Sequence, residues 1–290
     1  MSKSAIIYMT RLQDLWLLRH SLKFLFLNFN NNSKYPVIIF HDDLNQQVVQ
    51  SLAEALKQDL GYVPDNIQFV AVKFDQPSNL STDPSLYDPP LSQFRMGYRH
   101  MCRFFGGKVF THPLLSEYKY CWRLDSDSFI LSEVTVDPFK YMESVGAKYA
   151  YIDAIQYDEA FACRGLWETT NRFMEEHPHL VRNKVASWNM EIYNSNFAIY
   201  DMDFFRSEPY QSYFNYLDAT NNIYYRRWGD HCIGYLGLAM FTDSNDIWCV
   251  KEFGYQHGSQ IGNSDKVSPQ MIPLVPEPFK GWLLSACKKG

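Results

Sequence analysis

No stretch of this 290-residue chain runs the roughly 20 apolar residues that a membrane-spanning helix needs. The run from Ala5 to Thr10 is short and is followed by Arg11 and Asp14. The apolar segment from Leu15 to Phe29 is interrupted by Arg19, His20 and Lys23. No succession of charged, apolar and small residues marks a signal peptide. The expectation is a soluble chain without a membrane span, or a catalytic piece of a longer, anchored one. Cysteine is sparse: Cys102, Cys121, Cys163, Cys232, Cys249 and Cys287 are scattered, with no CxxC pair, so spacing alone gives no zinc site. One or two disulfides are left open; Cys121 and Cys249 read as buried small hydrophobes. A basic excess is also lacking. The net charge is -5 and the pI about 5.9, which disfavours the backbone electrostatics that nucleic-acid binding relies on. There is no internal repeat, low-complexity tract or obvious linker, so residues 1–290 read as one domain.

Aromatic residues are what the chain has in quantity, with 21 Phe, 20 Tyr and 7 Trp. Their first use is a bulky core, and some are free to stack on a sugar or a base. The pattern of apolar residues alternates between strand and helix. Ala5–Met9, Tyr35–Phe40 and Ile67–Phe74 are short apolar runs of strand type. Asp14–Asn28 and Leu44–Leu60 carry apolar residues at helical spacing. This order predicts an α/β fold, with a mostly parallel mixed central sheet flanked by helices.

A strand-like run from Tyr118 to Leu124 stops at Asp125–Ser126–Asp127, and Ser128–Ile130 resumes. Two carboxylates at i and i+2 point the same way from a strand end. They suit a hard divalent cation, which in turn suits a pyrophosphate. Two solvated aspartates in a turn are the plainer reading. The position after three α/β strands favours a nucleotide site, because nucleotides bind at the carboxyl ends of parallel strands. Just upstream, Arg99 and Arg103 lie four apart, on one face of a helix. They are either an ion-paired surface or a grip on phosphate.

The runs Tyr98–Phe104 (YRHMCRF), His112–Leu115 (HPLL) and Tyr120–Asp127 (YCWRLDSD) resemble the fungal α-1,2-mannosyltransferases of the Kre2/Mnt1/Ktr type. So do Asn194–Ile199, Phe204–Ser207, Tyr224–Asp230 and Gly254–His257, in the same order. The resemblance implies a GT-A fold and retaining transfer of mannose from GDP-mannose to an oligosaccharide or glycoprotein acceptor. It implies a manganese ion held by Asp125, Asp127 and His257, and a Golgi lumenal setting, although this chain shows no anchor. It gives Tyr98, Asn196 and Asp230 as catalytic candidates. Arg11, Arg99, Arg103 and Asp125 are the donor-binding candidates, and Trp228 and Tyr225 the acceptor-binding ones. Asp230 is open between an acceptor-side base and a buried hydrogen-bond hub. Tyr98 is open between stabilising positive charge at the sugar and hydrogen-bonding a phosphate.

The chain also departs from the family. Ala198 stands where the family's Ser-Asn-Phe-Glu block has a carboxylate, and the nearest acid upstream is Glu191. Asp-Ser-Asp replaces Glu-Pro-Asp, and Gln256 replaces one of two adjacent histidines. A methyl group is neither nucleophile nor base. The expectation is therefore front-face transfer, with alternatives in a different donor sugar or acceptor, or in a silent nucleotide- or glycan-binding domain.

Overall fold

The computed structural model describes residues 2–287. Strands β1 (Ser4–Met9), β2 (Val37–His41) and β3 (Ile67–Ala71) alternate with the helices Leu15–Leu25 and Gln46–Leu60. After the Met96–Gly106 helix come β4 (Tyr120–Leu124), β5 (Ser128–Ile130), β6 (Tyr149–Ile152), β7 (Gln156–Tyr157), β8 (Glu191–Ile192) and β9 (Phe197–Asp201). The Asp230–Phe241 helix then leads to β10 (Ile247–Val250), β11 (Tyr255–His257) and β12 (Gln260–Gly262). The main sheet runs β10-β6-β9-β4-β1-β2-β3 and is parallel, except that β9 is antiparallel to both its neighbours. This is the mixed, mostly parallel sheet that the sequence predicts.

Burial explains why these strands read as continuous apolar runs. Successive side chains of a strand point to opposite faces. Ala5 and Ile7 enter one core with the Met96–Gly106 and Asp230–Phe241 helices. Ile6 and Tyr8 enter the other, with the Leu15–Leu25 and Gln46–Leu60 helices. Both layers are rich in aromatics, so most of the aromatic surplus is core. The Gln46–Leu60 helix starts where the Asn45 side chain accepts the Val48 amide at 3.0 Å, and it stops at Gly61 with φ of 82°.

Some boundaries differ from the sequence reading. The first helix continues past Leu25 as a π-helical turn, Phe26–Asn30. The third strand ends at Ala71, because Phe74 leaves the sheet to stack on His100 at 5.2 Å between ring centroids. All six cysteines are free, so no disulfide is formed. No helix among the described residues is long and apolar enough to cross a membrane.

Candidate functional site

The C-terminal ends of β1, β2 and β4 open into a cleft of about 800 Å³. Met9, Thr10, Arg11, His41 and Asp42 form one wall. Phe94, Tyr98, Met101 and Phe105 form the other, and Asp125, Ser126 and Asp127 close the floor.

Asp125 and Asp127 sit in the turn between β4 and β5, not on the strand itself. The turn is fastened from behind. The Ser126 hydroxyl goes inward to Thr10 Oγ1 at 3.1 Å, and the Asp125 amide donates to Ser128 Oγ at 3.0 Å. With Ser126 turned away, both carboxylates line the cleft. The strands β12-β11-β5 form a small separate sheet in which Ser128 pairs with His257. That register sets His257 Nε2 3.1 Å from Asp127 Oδ1 and 3.8 Å from Asp125 Oδ2. The other ring nitrogen, Nδ1, lies 3.1 Å from Asn196 Nδ2. Tyr255 donates its hydroxyl to Asn196 Oδ1 at 2.9 Å. Burial by itself would lower the His257 pKa, but the hydrogen bond to Asp127 and the charges of both aspartates raise it above the ordinary value. Asp127 is held below the usual carboxylate range by the same imidazole, against its own burial.

Arg123, which sequence reasoning passed over as a strand residue, organises the floor. Its guanidinium lies 3.8 Å from the Phe105 ring centroid, bonds Asp125 Oδ1 at 3.1 Å and pairs with Asp230. Asp230 is buried, and Arg123 keeps its carboxyl ionised despite that burial. A carboxylate committed to a buried guanidinium is a poor proton acceptor, so of the two readings of Asp230 the geometry gives the hub.

Tyr98 lines the cleft, and its phenol accepts from Arg227 Nη2 at 2.7 Å. Burial pushes the phenol far up, so it stays protonated. Arg227 also escaped the sequence reading. Its backbone is left-handed, with φ of 61°, which turns the guanidinium back over Phe94 and Tyr98, and it reaches Asp158 as well.

Other expected site residues lie elsewhere. Arg99 is wholly buried and gives its donors to the backbone carbonyls of Phe94, Tyr224 and Pro89. Arg103 forms a two-pronged bond to Asp218, at 2.7 and 2.8 Å, beside a smaller cavity of about 260 Å³. Neither points into the main cleft; helical spacing placed them on one face but did not say that the face was internal. Trp228 is fully buried, with its indole N–H on the Arg164 carbonyl at 2.9 Å, so it is packing and not an acceptor platform. Tyr225 accepts the Ser81 amide at 2.8 Å and packs edge-on against Tyr87. Arg11 does line the cleft, paired with Asp14 at 2.6 Å. Ala198 is fully buried on β9, opposite Arg123, and Glu191 is held by the Tyr235 hydroxyl at 2.7 Å away from the cleft lining. Glu191 therefore brings no carboxylate to the cleft.

Residues 1–267 match the family model described as glycolipid 2-alpha-mannosyltransferase. The chain belongs to that family. The alpha-1,2 mannosyltransferase KTR1 of Saccharomyces cerevisiae is 30% identical over 88% of this chain and 68% of that protein. The O-glycoside alpha-1,2-mannosyltransferase omh1 of Schizosaccharomyces pombe is 30% identical over 96% of this chain and 76% of its own length. The chain spans 66% of a second budding-yeast relative, KTR3. Among solved structures, core-mannan synthase A of Aspergillus fumigatus, in a Mn/GDP form, superposes with a TM-score of 0.82 at 25% identity, over 92% of this chain and 78% of that one. Ktr4p of S. cerevisiae in complex with GDP gives 0.82 at 26% identity, over 97% and 79%. The fold of this family member is therefore that of these GT-A-type glycosyltransferases.

Proposed function

We propose that this chain transfers mannose from GDP-mannose to a hydroxyl of an oligosaccharide or glycoprotein, in α-1,2 linkage, with retention and with a divalent ion. The observation that carries the reading is His257 Nε2 at 3.1 Å from Asp127 and 3.8 Å from Asp125, on the floor of a cleft at the strand ends. Two carboxylates and an imidazole are a donor set that suits manganese. Asp125, Asp127 and His257 would hold the ion, and its charge would offset that of the diphosphate. The names of the relatives and the Mn/GDP and GDP forms of the two neighbours support the same assignment.

The chain's own side chains give the rest of the proposal. Arg11, which lines the cleft, would meet the diphosphate. Asn196 would act through His257, whose Nδ1 it contacts. Tyr98 accepts from Arg227 and keeps its own O–H to donate, which suits an oxygen of the leaving phosphate better than a developing cation. With Ala198 buried and Glu191 held elsewhere, the acceptor hydroxyl attacks from the face that the phosphate leaves.

Release of the nucleoside diphosphate from GDP-mannose and from a panel of other nucleotide sugars, with and without manganese, tests the proposal. Manganese-dependent release from GDP-mannose alone is expected; release from none of them would sink it. The methyl of Ala198 favours one second reading, a domain that binds nucleotide without turnover. GDP binding in a calorimetric titration, without release from any donor, would establish it.

A further inference from the structure

Away from the cleft floor, four side chains of metal-ligating type meet. Asp158 follows β7, and Cys163 lies in the turn before the Leu166–Glu176 helix. His231 and Cys232 stand in the first turn of the Asp230–Phe241 helix. His231 Nε2 is 2.9 Å from Asp158 Oδ2, and Cys232 Sγ is 3.2 Å from the same oxygen. These three ligand atoms all lie within 4.8 Å of one another. Cys163 Sγ stands 3.8 Å from Cys232 Sγ, outside the grouping of the other three, so its side chain has to turn to complete a four-ligand shell. Little of the group reaches solvent: the Asp158 and His231 side chains are 10% and 12% exposed, and both cysteines are buried.

We infer that Asp158, Cys163, His231 and Cys232 form a second metal site, distinct from the one in the cleft, which takes a thiophilic divalent ion of the zinc type. Three features carry this. The first is geometry. With zinc–sulfur bonds of about 2.3 Å, two sulfurs of a tetrahedral site stand about 3.8 Å apart, which is the separation of Cys163 and Cys232. The oxygen–nitrogen and oxygen–sulfur edges of such a site are about 3.3–3.5 Å. The hydrogen-bonded contacts of Asp158 need to open by only a few tenths of an ångström.

The second feature is charge. A carboxylate and two thiolates bring three negative charges, of which a divalent ion cancels two. The Arg227 guanidinium, 3.4 Å from Asp158 Oδ1 and 3.2 Å from Oδ2, balances the third and orients the carboxylate from outside the ligand shell. Binding replaces the Cys232 S–H···O and imidazole contacts with bonds to the ion, and each thiol gives up its proton to solvent. The third is space. A Cβ on Gly229 would lie 2.5 Å from the His231 ring, so it is a glycine that lets the imidazole fold back toward Asp158.

The donor set also separates the two sites. Sulfur ligands select a softer ion than the carboxylates around His257. The second site would pin the loop after β7 and the start of the Leu166–Glu176 helix to the helix that carries Asp230. Through Arg227 it borders Tyr98.

Cobalt(II) titration of the reduced full chain tests this, cobalt standing in for zinc with a visible spectrum. The expected result is a thiolate-to-cobalt charge-transfer band that saturates at one equivalent and is bleached by zinc. The band should persist in Asp127→Ala, which removes a cleft ligand, and disappear in Cys232→Ser. Cys163→Ser should weaken it. Should Cys232→Ser fail to fold, His231→Asn takes its place, with the same loss expected. Absence of the band in reduced protein, or its survival in a folded Cys232→Ser or His231→Asn variant, would overturn the inference. So would a Cys163–Cys232 disulfide whose reduction restores no cobalt binding.

Discussion

Arg123 and Asp230 form an ion pair whose side chains are 2% and 3% exposed. The pair joins the floor of the cleft to the helix behind it. Its worth lies in being complete, because removing one partner of a buried pair leaves an uncompensated charge and costs about 3–5 kcal/mol. Arg123→Ala and Asp230→Ala should therefore each lower stability by about that amount, measured by urea unfolding. Arg123→Met combined with Asp230→Leu should recover most of the loss while leaving the cleft without its guanidinium. Single variants as stable as the parent would show that the pair is not the structural hub described here.

Asp127 stands differently. Its side chain is 27% exposed, and its ionic partner is His257. Asp127→Ala should remove the gain in GDP affinity that manganese brings, with stability kept within about 1 kcal/mol, as is usual for partly exposed pairs. Calorimetric titration of GDP with and without manganese, beside an unfolding curve, gives both numbers. Asp125→Ala should lose the same gain, since Arg123 retains Asp230. Undiminished metal-dependent binding in both variants would remove the pair from the ion site.

The acidic limb of ion binding should come from His257. A ligating imidazole must be neutral, and Asp127 and Asp125 raise its pKa above the ordinary value of about 6.5. Protons should therefore compete with the ion at pH values above 6.5, and the apparent affinity for manganese should climb as pH rises through the raised pKa. The sign for stability is opposite in protein stripped of divalent ions. There the imidazolium–Asp127 pair contributes fully below about pH 6.5 and is lost as pH rises through the folded-state pKa. His257→Ala should flatten both curves. Manganese titrations and thermal midpoints between pH 5.5 and 8.5 report them.

Tyr98 and Arg227 share one hydrogen bond of 2.7 Å, so Tyr98→Phe strips the guanidinium of a buried acceptor. An unsatisfied buried donor costs about 1–3 kcal/mol in stability. If the phenol also donates to the leaving phosphate, kcat should fall tenfold or more, at 1.36 kcal/mol per decade, with KM changed far less. A loss of stability with kcat intact would confine Tyr98 to a structural role.

The parts of this site differ in how far they could be read from the chain. Ile6, Ile7, Ile38 and Ile39 announce their strands because both faces of the sheet are covered. Asp125 and Asp127 follow at the end of such a strand, so their place was legible. The spacing of Arg99 and Arg103 shows a shared helix face, yet nothing local tells that the backbone carbonyls of Phe94, Tyr224 and Pro89 wait beneath it. His257 reaches Asp127 through strands of three residues, too short to carry a periodic signal. Cys163 and Cys232, 69 positions apart, meet only because two helix starts converge, and sequence spacing has no means of recording that.

Ala198 stands where the family resemblance implies a glutamate. On β9 it lies directly across from Arg123 on one side and Tyr151 on the other, and it is fully buried. A glutamate placed there would meet a guanidinium already shared between Asp125 and Asp230, in a space now filled to the size of a methyl. Overpacking of this kind typically costs about 1–3 kcal/mol. Against that, a carboxylate in a low-dielectric cleft can contribute strongly to a cationic transition state. The balance here is set by Arg123: the new carboxylate would be neutralised by it, at the expense of the bonds that hold Asp125 and Asp230. Ala198→Glu should thus be less stable than the parent by about 1–3 kcal/mol and release GDP from GDP-mannose no faster. The parent itself should release GDP without a glutamate at this position. An inert parent brought to life by Ala198→Glu would reverse this conclusion and make the chain a binder without a catalytic carboxylate.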